Sequence, residues 1–286
     1  MIALYWNVRG FGNSDTKIAL KNFYLSHKPT FIFLAEPMIS FSHVPSWYWH
    51  GIGVNKCCLN NRGPRLPNLW ALWNDEVPVV VIFNSDQCIA LEVTWQNSSV
   101  FIAVIYANTS YLYRRLLWAD LTHLQGCFLG PWLFIGDFNA VMGAHEKRGR
   151  WPPTTASCSD FGSWSNANLL THLPSSGPLI TWSNGRMGSA YVALRLDRSI
   201  CNEEWLAFWR VTSCCTLIRH QSDHHPLLLS ADVASVKYAI PFKFYKAWSS
   251  HVDCRKLVLE NWAKNVRGVG MVRLQGKLQN LKMVFK

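Results

Sequence analysis

The sequence predicts an α/β protein with a core of two sheet layers flanked by helices. Short runs of β-type residues recur through the first 232 residues. Fewer segments show helical periodicity, and these are inserted between pairs of the β-type runs. This order of elements does not follow the regular alternation of a βαβ repeat, so it favours two packed sheets with helices outside them.

The β-type runs are rich in Val, Ile, Phe, Tyr and Trp, the residue types that suit a pleated and half-buried surface. We predict strands at residues 2–6, 31–35, 79–83, 89–94, 100–106, 133–136, 179–182, 195–200 and 227–230. So many strands indicate a large β core.

Three segments between these strands predict helices. Residues 14–27 have a polar start followed by apolar residues at helical spacing. Residues 111–126 place Leu112, Leu116 and Ala119 near a 3.6-residue period. Residues 160–169 show a weaker pattern of the same kind.

The sequence changes character at Val233, where the strand-type runs stop. Residues 255–286 carry a loose helical pattern that Gly268 and Gly270 interrupt. We therefore predict one domain at residues 1–232 and a helical tail at residues 233–286. Because the chain stops without a capping or turn signal, we expect a fragment of something longer.

Composition supports a large folded core and a polyanionic partner. Hydrophobic residues make up 49% of the 286 residues and charged residues 16%, which excludes a mostly disordered chain. Apolar runs such as residues 77–83 fall far short of the roughly 18 to 20 residues that a membrane-spanning helix needs. The chain has 28 Lys and Arg against 17 Asp and Glu, a net charge of +11. Such an excess favours binding to phosphates, while leaving DNA, RNA and lipid open.

The N-terminus and the cysteines indicate an intracellular protein that is not secreted. Residues 1–7 resemble a strand and lack the basic segment and cleavage site of a signal peptide. The nine cysteines are an odd number, and neither Cys57-Cys58 nor Cys214-Cys215 has the spacing of a zinc site. We expect reduced and mostly buried thiols.

Polar residues follow several predicted strands and could together hydrolyse a phosphodiester. This reaction needs a hard cation, a base for the attacking water and donors for the developing charge. The candidates at or just after strand ends are Asn7, Glu36, Tyr106, Asp137 and Asn139. Further candidates are Asp197, which interrupts an apolar run, and Asp223 and His224, which precede the last predicted strand. Taken singly each has an ordinary alternative, since Gly-Asp-x-Asn is usually a turn and Glu36 before Pro37 fits a solvated strand end.

Taken in order, these residues and their neighbours resemble the successive motifs of the endonuclease/exonuclease/phosphatase superfamily. Within it, the sequence is most similar to the apurinic-type endonuclease domain of plant LINE-type (non-LTR) retrotransposons. The resemblance covers about the first 230 residues. The motifs are Trp6-Asn7-Val8-Arg9-Gly10, Leu34-Ala35-Glu36-Pro37, Ile105-Tyr106-Ala107, Gly136-Asp137-Phe138-Asn139-Ala140, Thr181-Trp182, Arg195-Leu196-Asp197-Arg198 and Ser222-Asp223-His224-His225-Pro226.

The resemblance implies a four-layer α/β/β/α sandwich and a role for each motif residue. Glu36 would be the principal ligand of Mg²⁺, for which Mn²⁺ could substitute, with Asn7 and Asp223 assisting. Asp137 and Asn139 would orient or activate water, and Tyr106 would donate to the phosphate. Asp197 would hold His224, which would act on the phosphate as base or charge stabiliser.

Contact with double-stranded DNA would be mainly through its backbone. The residues predicted to bind DNA are Arg9, Arg148, Arg186, Thr181 and Trp182. Other basic residues near the motifs are Lys17, Lys21, Lys147, Arg150 and Arg195, and Trp151 and Trp164 are further candidates for base contacts. An ordinary solvated surface remains an alternative for the basic set, because its members are scattered.

The resulting expectation is an enzyme, a Mg²⁺-dependent DNA endonuclease that leaves a 3′-hydroxyl and acts in the nucleus. In the intact element a reverse transcriptase would lie further along the same chain. Two alternatives remain open. One is a phosphatase or phospholipase of the same fold, and the other is an inactive remnant that only binds nucleic acid.

Overall fold

The computed structural model describes residues 1–232, 251–266 and 270–285. Within these residues the helices are α1 (Ser14–His27), α2 (Ser46–Gly51), α3 (Tyr111–Cys127), α4 (Thr155–Ala167), α5 (Glu203–Phe208), α6 (Val252–Ala263) and α7 (Gly270–Val284). Short 3₁₀ turns occur at Phe41–His43, Ala144–Glu146 and Gly188–Ala190.

The strands of the described residues are β1 (Ile2–Asn7), β2 (Phe31–Ala35), β3 (Lys56–Leu59), β4 (Leu69–Trp73), β5 (Val79–Asn84), β6 (Cys88–Trp95), β7 (Ser98–Tyr106), β8 (Trp132–Asp137), β9 (Lys147–Arg148), β10 (Thr171–His172), β11 (Ser175–Ser176), β12 (Trp182–Ser183), β13 (Ala193–Leu194), β14 (Asp197–Cys201), β15 (Val211–Thr216) and β16 (Leu227–Asp232).

The first sheet brings the ends of β1 and β2 together. Its described strands have the order β11-β15-β16-β1-β2-β4-β3. β1 is parallel to β2, with Asn7 in register with Ala35, and antiparallel to β16. Asn7 and Glu36, the residue after Ala35, therefore lie side by side at the same end of the two strands.

The second sheet aligns three more candidate residues. Its described strands have the order β10-β14-β8-β7-β6-β5. Parallel pairing of β7 and β8 sets Tyr106 beside Asp137, and antiparallel pairing of β8 and β14 sets Asp137 beside Asp197. These three residues form one row across the strand ends. A small third sheet joins β12, β13 and β9.

Three apolar clusters stack the elements into layers. Between the two sheets, Phe33 of β2 and Ile135 of β8 belong to the same buried cluster. On the outer face of the first sheet, Leu20 of α1 packs in a cluster with Trp70. On the outer face of the second sheet, Leu121 of α3 and Trp164 of α4 pack with Phe134. The layer order is helix, sheet, sheet, helix, so the predicted four-layer α/β/β/α sandwich is confirmed.

Local sequence explains why α1 begins and ends where it does. The side chain of Asn13 accepts a hydrogen bond from the backbone N of Thr16 at 2.7 Å, and Asp15 lies in the first turn. Both features stabilise the positive end of a helix. At the other end Lys28 adopts a left-handed conformation with φ 47°, which terminates the helix. The helix predicted at residues 14–27 is confirmed.

The structure corrects some predicted boundaries. Of the strand predicted at residues 179–182, only Trp182 is in a strand, together with Ser183. Leu179 is 52% exposed and follows Pro178, which cannot donate a ladder hydrogen bond. The strand predicted at residues 195–200 begins at Asp197. The helix predicted at residues 160–169 spans Thr155–Ala167 instead.

The C-terminal helices are described separately, because the chain divides into two compact units, Met1–Ser235 and Val236–Lys286. Residues 233–250 and Gly268, which fall in the predicted tail, lie outside the described residues. In the second unit the amino group of Lys277 in α7 donates to the carbonyl of Trp262 in α6 and lies 5.4 Å from its ring centroid. Among the described helices, none combines the length and apolar character needed to cross a bilayer.

Gly136 is required by the close approach of β7 and β8. A Cβ at this position would lie 2.0 Å from the carbonyl oxygen of Ile105, a backbone atom that the strand pairing fixes. We expect Gly136→Ala to lower the free energy of unfolding by about 3 kcal/mol or more in a urea titration. Gly126→Ala is the control, since its Cβ would meet nothing within 4 Å and alanine favours helix by up to about 1 kcal/mol. Equal stability of the two variants would contradict this reason.

His172 should make the fold sensitive to mild acid. Burial first, and then the charge of Arg198, lower the pKa of His172 from 6.5 to about 4. The unfolded chain therefore binds more protons between these values, and the folded state loses up to about 3 kcal/mol as the pH falls from 6.5 to 4. In urea titrations across this range, the free energy of unfolding of His172→Gln should fall less steeply with decreasing pH than that of the parent. If the two free energies fall in parallel, His172 is not the cause of the acid sensitivity.

Candidate active site

The amide of Asn7 lies at the centre of the candidate residues. Its Nδ2 atom is 2.9 Å from Oε1 of Glu36 and 3.1 Å from Oδ2 of Asp137, and it donates to both. The same nitrogen lies 3.3 Å from Nε2 of His224. Because β1, the residue after β2, β8 and the segment before β16 supply these groups, both sheets contribute to one site.

Tyr106 completes the contacts of Glu36. The phenol donates to Oε1 of Glu36 at 2.8 Å. Burial, followed by the negative charge of Glu36, raises the pKa of Tyr106, so its hydroxyl stays neutral and remains a donor. Within the described residues no hydrogen bond reaches Oε2 of Glu36, and this oxygen is available to another ligand.

Asp197 and His224 form a buried pair. Nδ1 of His224 is 2.8 Å from Oδ2 of Asp197, while Nε2 lies 3.8 Å from Oδ2 of Asp137. Ligand atoms of Asp137, Asp197 and His224 all lie within 4.8 Å of one another. Asp197 thus fixes the ring of His224 so that Nε2 faces Asp137 and the pocket.

Burial and charge shift the proton affinities of this cluster. Burial, reinforced by the negative charge of Asp197, raises the pKa of Asp137 above its usual range. For His224, burial alone would lower the pKa, but Asp197 and then Asp137 more than offset this and raise it. The site therefore holds protons more tightly than the same groups would in water.

The loops that carry the site have unusual backbone conformations. Arg9, Glu36 and Asn139 have φ values of 43°, 49° and 47°, in the left-handed region that non-glycine residues rarely adopt. Backbone hydrogen bonds hold Glu36 in this conformation, since its N donates to Asn68 and its carbonyl accepts from Gly10, both at 2.8 Å. Such conformations concentrate at functional sites, where surrounding structure maintains them.

Asn139 is fixed beside Asp137 by two hydrogen bonds. Its backbone N donates to Oδ1 of Asp137 at 2.9 Å, and its Nδ2 donates to the carbonyl of Ala107 at 2.8 Å. The second bond uses one N–H of the amide, so the amide oxygen and the other N–H of Asn139 form no hydrogen bond among the described residues and are free to contact a water molecule.

Asp223 lies at the border of the site. Its Oδ2 pairs with the guanidinium of Arg9 and accepts from Nε1 of Trp182 at 2.8 Å. Its Oδ1 is buried and, within the described residues, has no hydrogen-bond partner. Arg9 is consequently both an exposed cation and an anchor for this carboxylate.

The donor set fits a divalent cation with oxygen ligands. Carboxylate oxygens without a hydrogen-bond donor are, among the described residues of the site, Oε2 of Glu36 and the buried Oδ1 atoms of Asp197 and Asp223. Unpaired carboxylate oxygens in a buried site are costly unless a cation or water satisfies them. Mg²⁺ prefers one or two carboxylates plus waters, which suits Glu36 as the principal ligand. The amide oxygen of Asn7 instead accepts from the N of Arg9 at 3.3 Å, so its role as a ligand stays a prediction.

The residues predicted to bind DNA lie in different environments. Arg148 and Arg186 are exposed, and Trp182 is half-buried beside Asp223. Thr181 is 1% exposed, and its hydroxyl accepts from the backbone N of Leu196 and Asp197. Thr181 therefore supports the start of β14 and does not face solvent.

The two other tryptophans considered for base contacts also differ. Trp151 is 68% exposed, and the guanidinium of Arg150 lies 5.0 Å from its ring centroid. Trp164 is buried in the core and stacks on Trp118 at 4.7 Å. Only Trp151 of these two could contact a base.

Sequence reasoning missed two supports of the site. Ser222 donates to the carbonyl of Asn7 at 2.7 Å and accepts from the N of His224 at 3.0 Å, which joins two site segments. Glu146 is buried and pairs with the buried Arg198 at 2.8 Å. It also accepts from the N of Met142 at 2.7 Å, so it ties the loop after Asp137 to β14. The only sequence signal for Ser222 was its place in a motif, and Glu146 gave none.

Several solved structures are similar to this chain. No protein-family model and no curated protein sequence matches it. The endonuclease domain of TRAS1, a telomere-specific non-LTR retrotransposon, has a TM-score of 0.60 and 13% identity, covering 80% of this chain and 97% of that chain. A 3′-5′ exonuclease (NExo) from Neisseria meningitidis has a TM-score of 0.62 and 17% identity, covering 81% of this chain and 100% of that chain. An AP endonuclease from Archaeoglobus fulgidus has a TM-score of 0.61 and 14% identity, covering 82% of this chain and 100% of that chain.

These three proteins are named as nucleases, an endonuclease or an exonuclease in each case. At identities of 13–17% the likeness concerns the arrangement of the chain in space. The two mixed sheets, the flanking helices and these likenesses together identify the fold of this chain as the endonuclease/exonuclease/phosphatase fold.

Proposed function

We propose that this chain is a Mg²⁺-dependent DNA endonuclease that nicks one strand and leaves a 3′-hydroxyl, as in target nicking by a LINE-type retroelement. The observation that carries the proposal is the convergence of Asn7, Glu36, Asp137 and His224 within 3.3 Å of one amide nitrogen. These residues are up to 217 positions apart in sequence. The similarity of the fold to an endonuclease domain, an exonuclease and an AP endonuclease supports the same chemistry, and a related structure of NExo is described as bound to a product DNA hairpin.

In the proposed reaction, water attacks phosphorus and the P–O3′ bond breaks. The oxygen of water joins phosphorus to give a 5′-phosphate and its proton passes to the carboxylate of Asp137. The departing O3′ takes a proton from a solvent water molecule and becomes a hydroxyl. Asn139, next to Asp137, would orient the water. Nε2 of His224 and the phenol of Tyr106 would donate to the phosphate oxygens.

Glu36 would hold the ion, with Asn7 and Asp223 assisting. When bound, Mg²⁺ supplies positive charge that polarises the phosphate and stabilises the developing negative charge. Tyr106 and Asn7 would keep the carboxylate of Glu36 in place by donating to its Oε1.

Double-stranded DNA is the proposed substrate. The net charge of +11 favours a polyanion, and the exposed Arg148 and Arg186 would contact phosphates without reading bases. We further propose that the protein acts in the nucleus and that a reverse transcriptase follows in the same polyprotein. The proposal of a reverse transcriptase is supported by the resemblance to LINE-type elements and by the similarity to the TRAS1 domain.

A plasmid-nicking assay tests the proposal. The protein should convert supercoiled plasmid to the open circle with Mg²⁺ and not with EDTA, and a DNA polymerase should extend the nick without end repair. Cleavage should fall as salt rises, since each phosphate contact releases counterions. Release of phosphate from inositol phosphates without nicking would favour the phosphatase alternative. Gel retardation of DNA without any nicking would favour an inactive binding remnant.

A further inference from the structure

A groove beside the catalytic cluster takes no part in the chemical step proposed above, although Arg148 and Trp182, two residues predicted to bind DNA, line it. It has a volume of about 560 Å³, within the roughly 300–1,000 Å³ of pockets that bind small organic ligands. We call it the side groove and define it by Arg148, Leu179, Trp182, Tyr191, Ile218 and Arg219.

The side groove adjoins the site through the strand that contains Trp182. Trp182 forms a β-bridge with His224, and its indole nitrogen bonds to Asp223. The next residue of the same segment, His225, lines the groove, and its N donates to the carbonyl of Thr181 in the pairing that also holds His224. The groove therefore begins one residue from His224, so a DNA strand that passes Trp182 from the catalytic cluster would enter it.

The charge of the side groove is positive and unbalanced. Arg148 is exposed, and within the described residues its side chain forms no hydrogen bond or ion pair. Arg219 is exposed and, among the described residues, its side chain donates one hydrogen bond, from Nη1 to the hydroxyl of Ser183 at 2.8 Å. None of the described residues that line the groove is acidic. An anion would find two guanidinium groups there and no repulsive carboxylate.

The remaining walls are aromatic and aliphatic. Trp182 and Tyr191 lie close to the arginines, and Leu179 and Ile218 are 52% and 76% exposed. Apolar side chains so exposed beside cations suit a ligand with a flat apolar part joined to a phosphate. Nucleotides have this composition, but in a duplex the faces of the bases are covered by their neighbours. Aromatic platforms with basic residues are typical of sites for single-stranded nucleic acid.

We propose that the side groove binds unpaired nucleotides of the substrate DNA next to the scissile phosphate. This inference rests on the proposed function, because the unpaired nucleotides are taken to belong to the DNA strand that the protein cleaves. Arg148 and Arg219 bind the phosphates of the unpaired segment, and its bases lie against Tyr191, Ile218 and Leu179. The protein consequently prefers duplexes with a bulge or a frayed segment beside the cut.

Binding without cleavage tests this inference. The probes are two fluorescent duplexes of the same sequence, one fully paired and one with a short unpaired bulge, and the protein carries His224→Asn so that it does not cut. Fluorescence anisotropy should show about tenfold tighter binding of the bulged duplex. Arg148→Gln combined with Arg219→Gln should abolish this preference, and Tyr191→Ala should reduce it.

A matched control removes the same charge elsewhere. Lys56 and Arg210 are exposed at strand ends remote from the site, where Lys56 pairs with Trp73 and Arg210 precedes Val211. Lys56→Gln combined with Arg210→Gln should weaken binding to both duplexes equally and leave the preference intact. Equal affinity of the parent for both duplexes, or a preference that survives without Arg148 and Arg219, would overturn the inference.

The test also separates this inference from the proposed function. A parent protein that nicks plasmid but shows no preference for the bulge would retain its function and lose only the side-groove role. A preference for the bulge in a protein that never nicks would refute the endonuclease and leave the groove as a binding site.

Discussion

Replacing His224 by asparagine should lower the rate of plasmid nicking by about 10³-fold, the range expected for a positioned proton-transfer or charge-stabilising group. Nδ1 of His224 is held by Asp197 at 2.8 Å, which leaves Nε2 to face the pocket. Asparagine can keep a hydrogen bond to Asp197 but places no donor where Nε2 lies. The measurement is the initial rate of nicking at saturating Mg²⁺, with circular dichroism to check the fold.

His123 provides the control for this prediction. It is exposed in the C-terminal half of α3, where its Nε2 lies 3.4 Å from Sγ of Cys127. His123→Asn should leave the rate of nicking nearly unchanged. If His224→Asn keeps a tenth of the parent rate, or if the His123 variant is equally impaired, His224 does not act on the phosphate.

Replacing Glu36 by glutamine should reduce Mg²⁺-dependent nicking by about 10³-fold, because a metal ion supplies several kcal/mol of charge stabilisation. The amide oxygen of glutamine can still accept from Asn7 and Tyr106, so the shape of the pocket is retained. What is lost is the negative charge and the second oxygen. Calorimetric titration with Mn²⁺ should show weaker binding, which is a readout independent of activity.

Glu92→Gln is the matched control for Glu36. Glu92 lies in the middle of β6, where its carboxylate accepts from Ser99 at 2.6 Å, remote from the site. This variant should bind Mn²⁺ and nick plasmid like the parent. Unchanged Mn²⁺ affinity in Glu36→Gln would show that Glu36 is not a metal ligand. Loss of the circular dichroism signal of the folded protein would instead show that Glu36 is needed for the fold.

Elements with a clear local signal could be predicted from the sequence, and others could not. The five residues Phe31–Ala35 and the helix Ser14–His27 were predicted with their observed boundaries. Leu69–Trp73 was missed although it pairs with strands on both sides in the first sheet, because Leu-Trp-Ala-Leu-Trp is buried on both faces and does not alternate. Val211–Thr216 was missed because Thr, Ser and Cys dominate it and no apolar period appears.

The candidate site likewise has residues that could be predicted from the sequence and residues that could not. Residues such as Asn7, Glu36 and Asp137 lie at or next to strand ends, and the order of motifs along the chain was enough to predict that they form one site, while their roles stay predictions. The pair of Glu146 and Arg198 could not be inferred in this way, since the partners are 52 positions apart and only the packing of β14 against the loop joins them. The burial of Thr181 likewise depends on Leu196 and Asp197, which fold against it from another part of the chain.

Because the candidate residues come from both sheets, the hydrophobic layer between the sheets sets the distance between the two halves of the site. Asn7 and Glu36 belong to one sheet and the residue that follows it, while Tyr106, Asp137 and Asp197 belong to the other. A bulkier or smaller residue at Phe33 or Ile135 would slide one sheet against the other by a fraction of an ångström. In the proposed enzyme, turnover should respond to such a shift before the protein loses its ability to fold, so the thickness of the hydrophobic layer would affect the reaction rate as well as the stability.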